Sequence, residues 1–125
     1  MCNIMIVEDN TLFRTSLLEA LHLQFPKLVI LAFSDGGAVL QTVNDLALNL
    51  IFMDIKLPGQ NGIELTKQIK ANHAETHIVL MTLHDQSEYR ELALKSGADY
   101  FVLKGALNNS YLARLVRSVD ILASI

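Results

Sequence analysis

The sequence predicts a doubly wound α/β fold, in which helices cover both faces of a five-stranded parallel sheet. Five short apolar runs alternate with stretches of roughly 15 to 25 residues, each long enough for a crossover helix. Apolar residues make up 51% of the chain and charged residues 18%, which suits strands that have no wet side. The length of 125 residues predicts one domain that spans residues 1–125.

The predicted strands are short and nearly continuous in apolar residues, as buried parallel strands are. In chain order they are Ile4–Val7, Leu28–Phe33, Leu50–Met53, Ile78–Met81 and Phe101–Leu103. Each run has the length of a strand that crosses the core of a small domain.

The segments between these strands have helical patterns, and residues that typically begin or end a helix stand at the ends of these patterns. The predicted first, third and fourth helices run from about Thr11 to Gln24, Gly62 to Asn72, and Ser87 to Ser96. The turn at 34–37 predicts the start of the second helix, and Pro58-Gly59 forms the turn before the third. The last helix has one apolar stripe, made of Leu112, Leu115, Val116, Val119 and Leu122.

Composition excludes several classes of protein. The net charge of −3 argues against a surface that binds phosphate backbones, so we expect no direct contact with nucleic acid. The longest apolar run, residues 28–33, is far below the roughly 20 residues that cross a bilayer, and the first ten residues do not resemble a signal peptide. A lone Cys2 suits a reducing compartment, which predicts a cytoplasmic protein without membrane contact.

Polar side chains follow four of the predicted strands. Glu8 and Asp9 follow the first, Asp54 the third, Thr82 the fourth and Lys104 the fifth. The carboxyl ends of parallel strands share one rim, so these side chains should meet there. Three crowded carboxylates repel one another, and a hard cation such as Mg²⁺ would relieve that repulsion. Asp54 could then act as a nucleophile toward a phosphoryl group. The Thr82 hydroxyl and the Lys104 ammonium would contact the phosphoryl oxygens.

Each of these residues also has a purely structural interpretation. Asp9, Asn10 or Thr11 could cap the first helix, and Asp54 could accept backbone hydrogen bonds in a loop. Thr82 could form a local hydroxyl turn, and Lys104 could point into solvent. Only the set as a whole favours a phosphoryl site.

Four segments resemble the receiver domain of two-component response regulators. They are VEDN at 7–10, MDIKLPGQNG at 53–62, MTLHD at 81–85 and SGADYFVLK at 96–104. The resemblance covers essentially the whole chain and implies a flavodoxin-like sheet with strand order 2-1-3-4-5. The stretch 81–104 is most similar to receivers attached to a LuxR-type helix-turn-helix.

The resemblance implies a role for each site residue. Asp54 would be the phosphoacceptor, Thr82 the switch hydroxyl and Lys104 the lysine that contacts the phosphoryl group. Phe101 would be the aromatic residue that rotates with Thr82. The implied Mg²⁺ ligands are Glu8, Asp9, Asp54 and the backbone carbonyl of Lys56, and the residues implied to tune the phosphate lifetime are the Lys56 and His84 side chains.

The function implied is a signalling switch rather than a separate enzyme, since the domain would catalyse only its own phosphorylation and dephosphorylation. Its phosphodonor would be a histidine kinase or a phosphotransfer protein. The surface formed by helix four, strand five and helix five would then change, with homodimerisation as one outcome. The output expected is transcription, through an attached or partner DNA-binding domain. The alternative is a free-standing receiver or phosphorelay intermediate.

The sequence departs from the receiver pattern at two positions. Gly105 stands where many receivers have a cis proline; a cis bond before a non-proline residue is costly, which favours a trans peptide but leaves its state open from the sequence. The switch aromatic is Phe101 rather than a tyrosine, and Tyr100 should point to the opposite face of the sheet.

Two other classes of protein fit less well. A haloacid-dehalogenase-like phosphatase would need an acid at position 56, which is a lysine. A dinucleotide-binding module would need glycines where Glu8 and Asp9 stand.

Overall fold

Five parallel strands form the central sheet of the computed structural model, which describes residues 3–83 and 87–119. The strands are β1 (Asn3–Val7), β2 (Val29–Phe33), β3 (Leu50–Asp54), β4 (His77–Thr82) and β5 (Tyr100–Leu103). Their spatial order is β2-β1-β3-β4-β5, and all four pairings are parallel. The predicted fold class and strand order are confirmed.

The helices are α1 (Thr11–Gln24), α2 (Val39–Asp45), α3 (Gly62–Asn72), α4 (Ser87–Lys95) and α5 (Asn109–Ser118). The predicted bounds of α1 and α3 are confirmed, and α4 ends one residue earlier than predicted. Leu122 of the predicted last stripe lies outside the described residues. Within the part of the chain that the structure describes, no helix is both long and apolar enough to cross a membrane.

The prediction that all five strands are buried is wrong for the two edge strands: β2 has no buried residue, and in β5 only Val102 is buried. Val29 is 38% exposed, and Ala32 is also exposed. The reason is the position of β2 at the edge of the sheet, where it pairs only with β1. By contrast, every residue of β1 and β3, which have neighbours on both sides, is buried.

Each face of the sheet has its own apolar core. Alternate residues of one strand point to opposite faces, so Ile4 and Ile6 pack with α1 and α5, while Met5 and Val7 pack with α2 and α3. Tyr100 contacts the first core and Phe101 the second, which confirms that these neighbouring rings lie on opposite faces.

A tight connection sets α3 against the end of β3. The short strands Lys56–Leu57 and Gln60–Asn61 form a hairpin, with Gly59 at φ 71° in its turn. The hairpin returns the chain to Gly62, whose N–H donates to the Ile55 carbonyl at 2.8 Å. A Cβ atom on Gly62 would lie 2.2 Å from the backbone oxygen of Asp54. Glycine at position 62 is therefore required for this close approach.

Gly62→Ala should lower the free energy of unfolding by about 1–3 kcal/mol, because the added methyl group must displace backbone beside Asp54. Gly105→Ala is the matched control, since a Cβ there meets nothing within 4 Å. Urea denaturation of both variants measures the difference. Equal stability of the two variants would show that the α3 connection adapts without strain.

Candidate functional site

Three carboxylates meet where β1 and β3 end. Glu8, Asp9 and Asp54 each offer one oxygen, and these oxygens all lie within 4.8 Å of one another. Glu8 is fully buried and Asp54 is 6% exposed, whereas Asp9 is exposed. Asp54 is the last residue of β3 rather than the residue after it. The structure thus brings together the acids that the strand ends predicted.

Lys104 brings a buried positive charge to these acids. It begins the 3₁₀ helix Lys104–Ala106 directly after β5. Its Nζ lies 2.7 Å from Glu8 Oε1 and donates to Asp54 Oδ2 at 3.1 Å. Lys104 is only 8% exposed, so the interpretation of a lysine in solvent is wrong.

The balance of charge keeps Lys104 protonated. Burial lowers the pKa of its ammonium, but the Glu8 and Asp54 carboxylates together raise that pKa above the ordinary 10.5. The stabilisation that accompanies this upward shift is complete below pH 10.5 and is lost only as the pH rises through the higher folded-state pKa. At neutral pH the Lys104 ammonium therefore carries its full charge.

The two carboxylate oxygens of Glu8 are satisfied to different degrees. Its Oε2 accepts a hydrogen bond from the Asn10 N–H at 3.0 Å. Its buried Oε1 is close to Lys104, but that contact lacks hydrogen-bond geometry and no other donor reaches the atom. Burial raises the pKa of the Glu8 carboxyl, opposed by Lys104 and the Asn10 N–H and assisted by the charge of Asp54.

These donors fit a magnesium ion. Carboxylate oxygens are hard ligands of the kind Mg²⁺ prefers, and it binds through one or two of them while keeping waters. Glu8 Oε1 is a buried acceptor whose close partner, Lys104 Nζ at 2.7 Å, lacks hydrogen-bond geometry. Asp9 is exposed and is not the residue that caps α1, because Asn10 Oδ1 accepts from the Phe13 N–H at 2.9 Å. The capping interpretation therefore applies to Asn10, and the Asp9 carboxylate belongs to the acidic cluster.

The cluster opens into a pocket of about 770 Å³. Its lining includes Thr82, the last residue of β4, which is 9% exposed. Lys56 also lines it, and its N–H donates to Asp54 Oδ1 at 3.3 Å. Two predicted site residues, the buried Glu8 and Phe101, lie outside the lining. Phe101 is half-buried, and its ring centroid lies 5.1 Å from the Arg90 guanidinium. His84 lies outside the described residues.

The pocket also contains residues that the strand ends did not indicate. Phe13 and Tyr89 line it from α1 and α4. Outside the lining, Arg14 Nη1 donates to the Glu8 carbonyl at 2.7 Å. No cis peptide occurs among the described residues, so the bond before Gly105, which the sequence left open, is trans.

Comparison with known proteins identifies relatives along most of the chain. The family model of the response regulator receiver domain matches residues 4–116. The oxygen regulatory protein NreC of Staphylococcus haemolyticus is 32% identical over 104 residues, which cover 82% of this chain and 48% of that protein. The transcriptional regulatory protein DegU of Brevibacillus brevis is 29% identical over 101 residues, covering 81% and 43% respectively. The chain thus spans less than half of either relative.

A solved structure extends the comparison to the fold. The DNA-binding response regulator of the LuxR family from Staphylococcus aureus superimposes with a TM-score of 0.84 at 23% identity. The match covers 95% of this chain and 98% of that chain. It shows that the two chains share a fold.

Lys104→Met should lower the free energy of unfolding by about 3–5 kcal/mol in metal-free buffer, because it leaves two buried carboxylates without their cation. Added Mg²⁺ should recover more stability for this variant than for the wild type, since the ion replaces the lost charge. Urea denaturation with and without Mg²⁺ measures both effects.

Lys67→Met is the matched control for that experiment. Lys67 pairs with Glu64 at 3.3 Å on the surface, so its loss should cost no more than about 0.5 kcal/mol. Equal losses in the two variants would contradict a buried electrostatic centre at Lys104.

Proposed function

The chain belongs to the response regulator receiver domain family, and from that membership we propose that it is a switch phosphorylated on Asp54. The observation that carries the assignment is the contact of 3.1 Å between Lys104 Nζ and Asp54 Oδ2, within a three-carboxylate cluster that opens to solvent. The domain would occupy residues 1–125 and catalyse only its own phosphorylation and dephosphorylation.

The proposed reaction is a transfer from a phosphohistidine to a carboxylate. One Asp54 oxygen forms a bond to phosphorus as the bond from phosphorus to the donor imidazole breaks. The imidazole leaves with that electron pair and takes up a proton from water. Lys104 exchanges its contact with Asp54 for one with a phosphoryl oxygen, and the Thr82 hydroxyl donates to another.

A magnesium ion would neutralise negative charge on the phosphoryl oxygens. Glu8, Asp9, Asp54 and the backbone carbonyl of Lys56 are the groups proposed to hold it. The side chains of Lys56 and His84 are proposed to tune the phosphate lifetime from the mouth of the pocket. The exposed position of Lys56 and its place in the pocket lining support its part.

The donor proposed is a histidine kinase or a phosphotransfer protein, and the output proposed is transcription. The names of the relatives support the output, and the chain covers less than half of their length. An attached or partner DNA-binding domain would therefore act on DNA. Movement of Thr82 toward the phosphoryl group would draw Phe101 inward, reshape the surface of α4, β5 and α5, and promote association.

Asp54→Asn should abolish phosphorylation, because the amide cannot act as the nucleophile. Wild type incubated with Mg²⁺ and acetyl phosphate should gain one base-labile phosphoryl group, read by intact mass. Asp45→Asn changes an exposed residue at the end of α2, so this variant should gain phosphate as the wild type does. Phosphate gained by Asp54→Asn at the wild-type rate would disprove the assignment.

Thr82→Ala should still accept phosphate but lose most of the conformational response, because the hydroxyl that contacts the phosphoryl group is absent. The measurement is sedimentation and the NMR shifts of Phe101, each with Mg²⁺ and with or without beryllofluoride. Thr42→Ala, whose hydroxyl only donates within α2 to the Ala38 carbonyl, should respond like wild type. A wild type in which neither association nor Phe101 responds would argue against the switch.

A further inference from the structure

The Phe13 ring lies beside the buried ammonium of Lys104. Nζ is 5.1 Å from the ring centroid, within the distance at which a cation is attracted to an aromatic face. Phe13 is partly buried, packs against the core formed with α1 and α5, and lines the pocket. The ammonium is therefore bounded by Glu8, Asp54 and an aromatic ring.

Hydrogen bonds hold the backbone at Phe13 in place. Its N–H donates to Asn10 Oδ1 at 2.9 Å, which makes it part of the helix cap. The next residue, Arg14, donates through Nη1 to the Glu8 carbonyl at 2.7 Å. The first turn of α1 is thus held by its cap and, through Arg14, by the residue that follows β1.

An aromatic ring attracts the Lys104 ammonium electrostatically, which an aliphatic side chain cannot do. Lysine has a long flexible stem and three N–H donors, so the carboxylates alone leave the ammonium freedom to turn toward the open pocket. The negative face of the ring attracts the ammonium, and that attraction is strongest where water is excluded. Lys104, at 8% exposure, is in such a place.

We infer that Phe13 is a positioning residue that holds the Lys104 ammonium in place to receive the phosphoryl group. Its action is indirect, through Lys104 rather than on the reacting atoms. The inference rests on the proposed phosphorylation of Asp54, but the position of the ammonium can be measured without that reaction.

The test compares Phe13→Leu, Phe13→Tyr and a matched control, Phe25→Leu. Phe25 belongs to the same apolar core, is 7% exposed, and does not line the pocket, so its replacement perturbs packing alone. Three quantities are measured for each: the melting temperature, the initial rate of phosphorylation by acetyl phosphate with Mg²⁺, and the ¹⁵N-edited NMR signal of the Lys104 ammonium, which is visible only while its protons exchange slowly.

Phe13→Leu should slow phosphorylation by about threefold to thirtyfold and lose the ammonium signal, because the ring that holds and shields Lys104 is gone. Phe13→Tyr should retain the signal and a rate within about twofold of wild type, since it keeps the aromatic face. Phe25→Leu should lower the melting temperature while leaving the rate and the signal unchanged.

Two results would overturn the inference: an ammonium signal and rate in Phe13→Leu equal to wild type, or a Phe13→Tyr variant as impaired as Phe13→Leu. A rate that follows the melting temperature across all three variants would also overturn it. A wild type that gains no phosphate contradicts the proposed function instead. In that case the ammonium signals of the variants still show whether Phe13 holds Lys104 in place.

Discussion

The burial of one ammonium group between two carboxylates is the interaction on which the site depends. Neighbouring strands lie about 4.8 Å apart, so a residue after β5 is about 10 Å from β3, with β4 between them. Lys104 spans that gap and contacts Asp54 on β3 and Glu8 beyond β1. A shorter cation at position 104 could not span it. The strand order therefore determines both which acids meet and which residue can neutralise them.

The same cluster carries opposed electrostatic demands. Burial raises the pKa of Glu8, which disfavours the charged form of this acid. The pKa of Lys104 is raised as well, but for a base a raised pKa favours the charged form. A buried ion pair compensates its own desolvation only when all its hydrogen bonds are good, and Glu8 Oε1 falls short of this. Glu8 Oε1 therefore depends on the charge of Lys104, 2.7 Å away, rather than on a well-formed hydrogen bond.

The strand ends could be predicted because parallel pairing places them on one rim whatever the details of packing. The bounds of α1 could also be predicted, since Asn10 caps its start and Pro26 follows its end. Phe13 could not be assigned to the site, because an apolar helical residue looks the same in sequence whether it faces the core or a pocket. The exposure of β2 could not be predicted for a related reason. Its apolar composition is similar to that of the central strands, although it lies at the edge of the sheet.

Neighbouring residues of α4 contact two distant parts of the molecule. The Tyr89 ring lies 5.7 Å from the Lys56 ammonium, and the Arg90 guanidinium lies 5.1 Å from the Phe101 ring. Because Tyr89 and Arg90 are adjacent on one rigid helix, a shift of α4 disturbs both contacts together. A replacement α4 that lacks both Tyr89 and Arg90 would lose both contacts at once, at the mouth of the pocket and at β5.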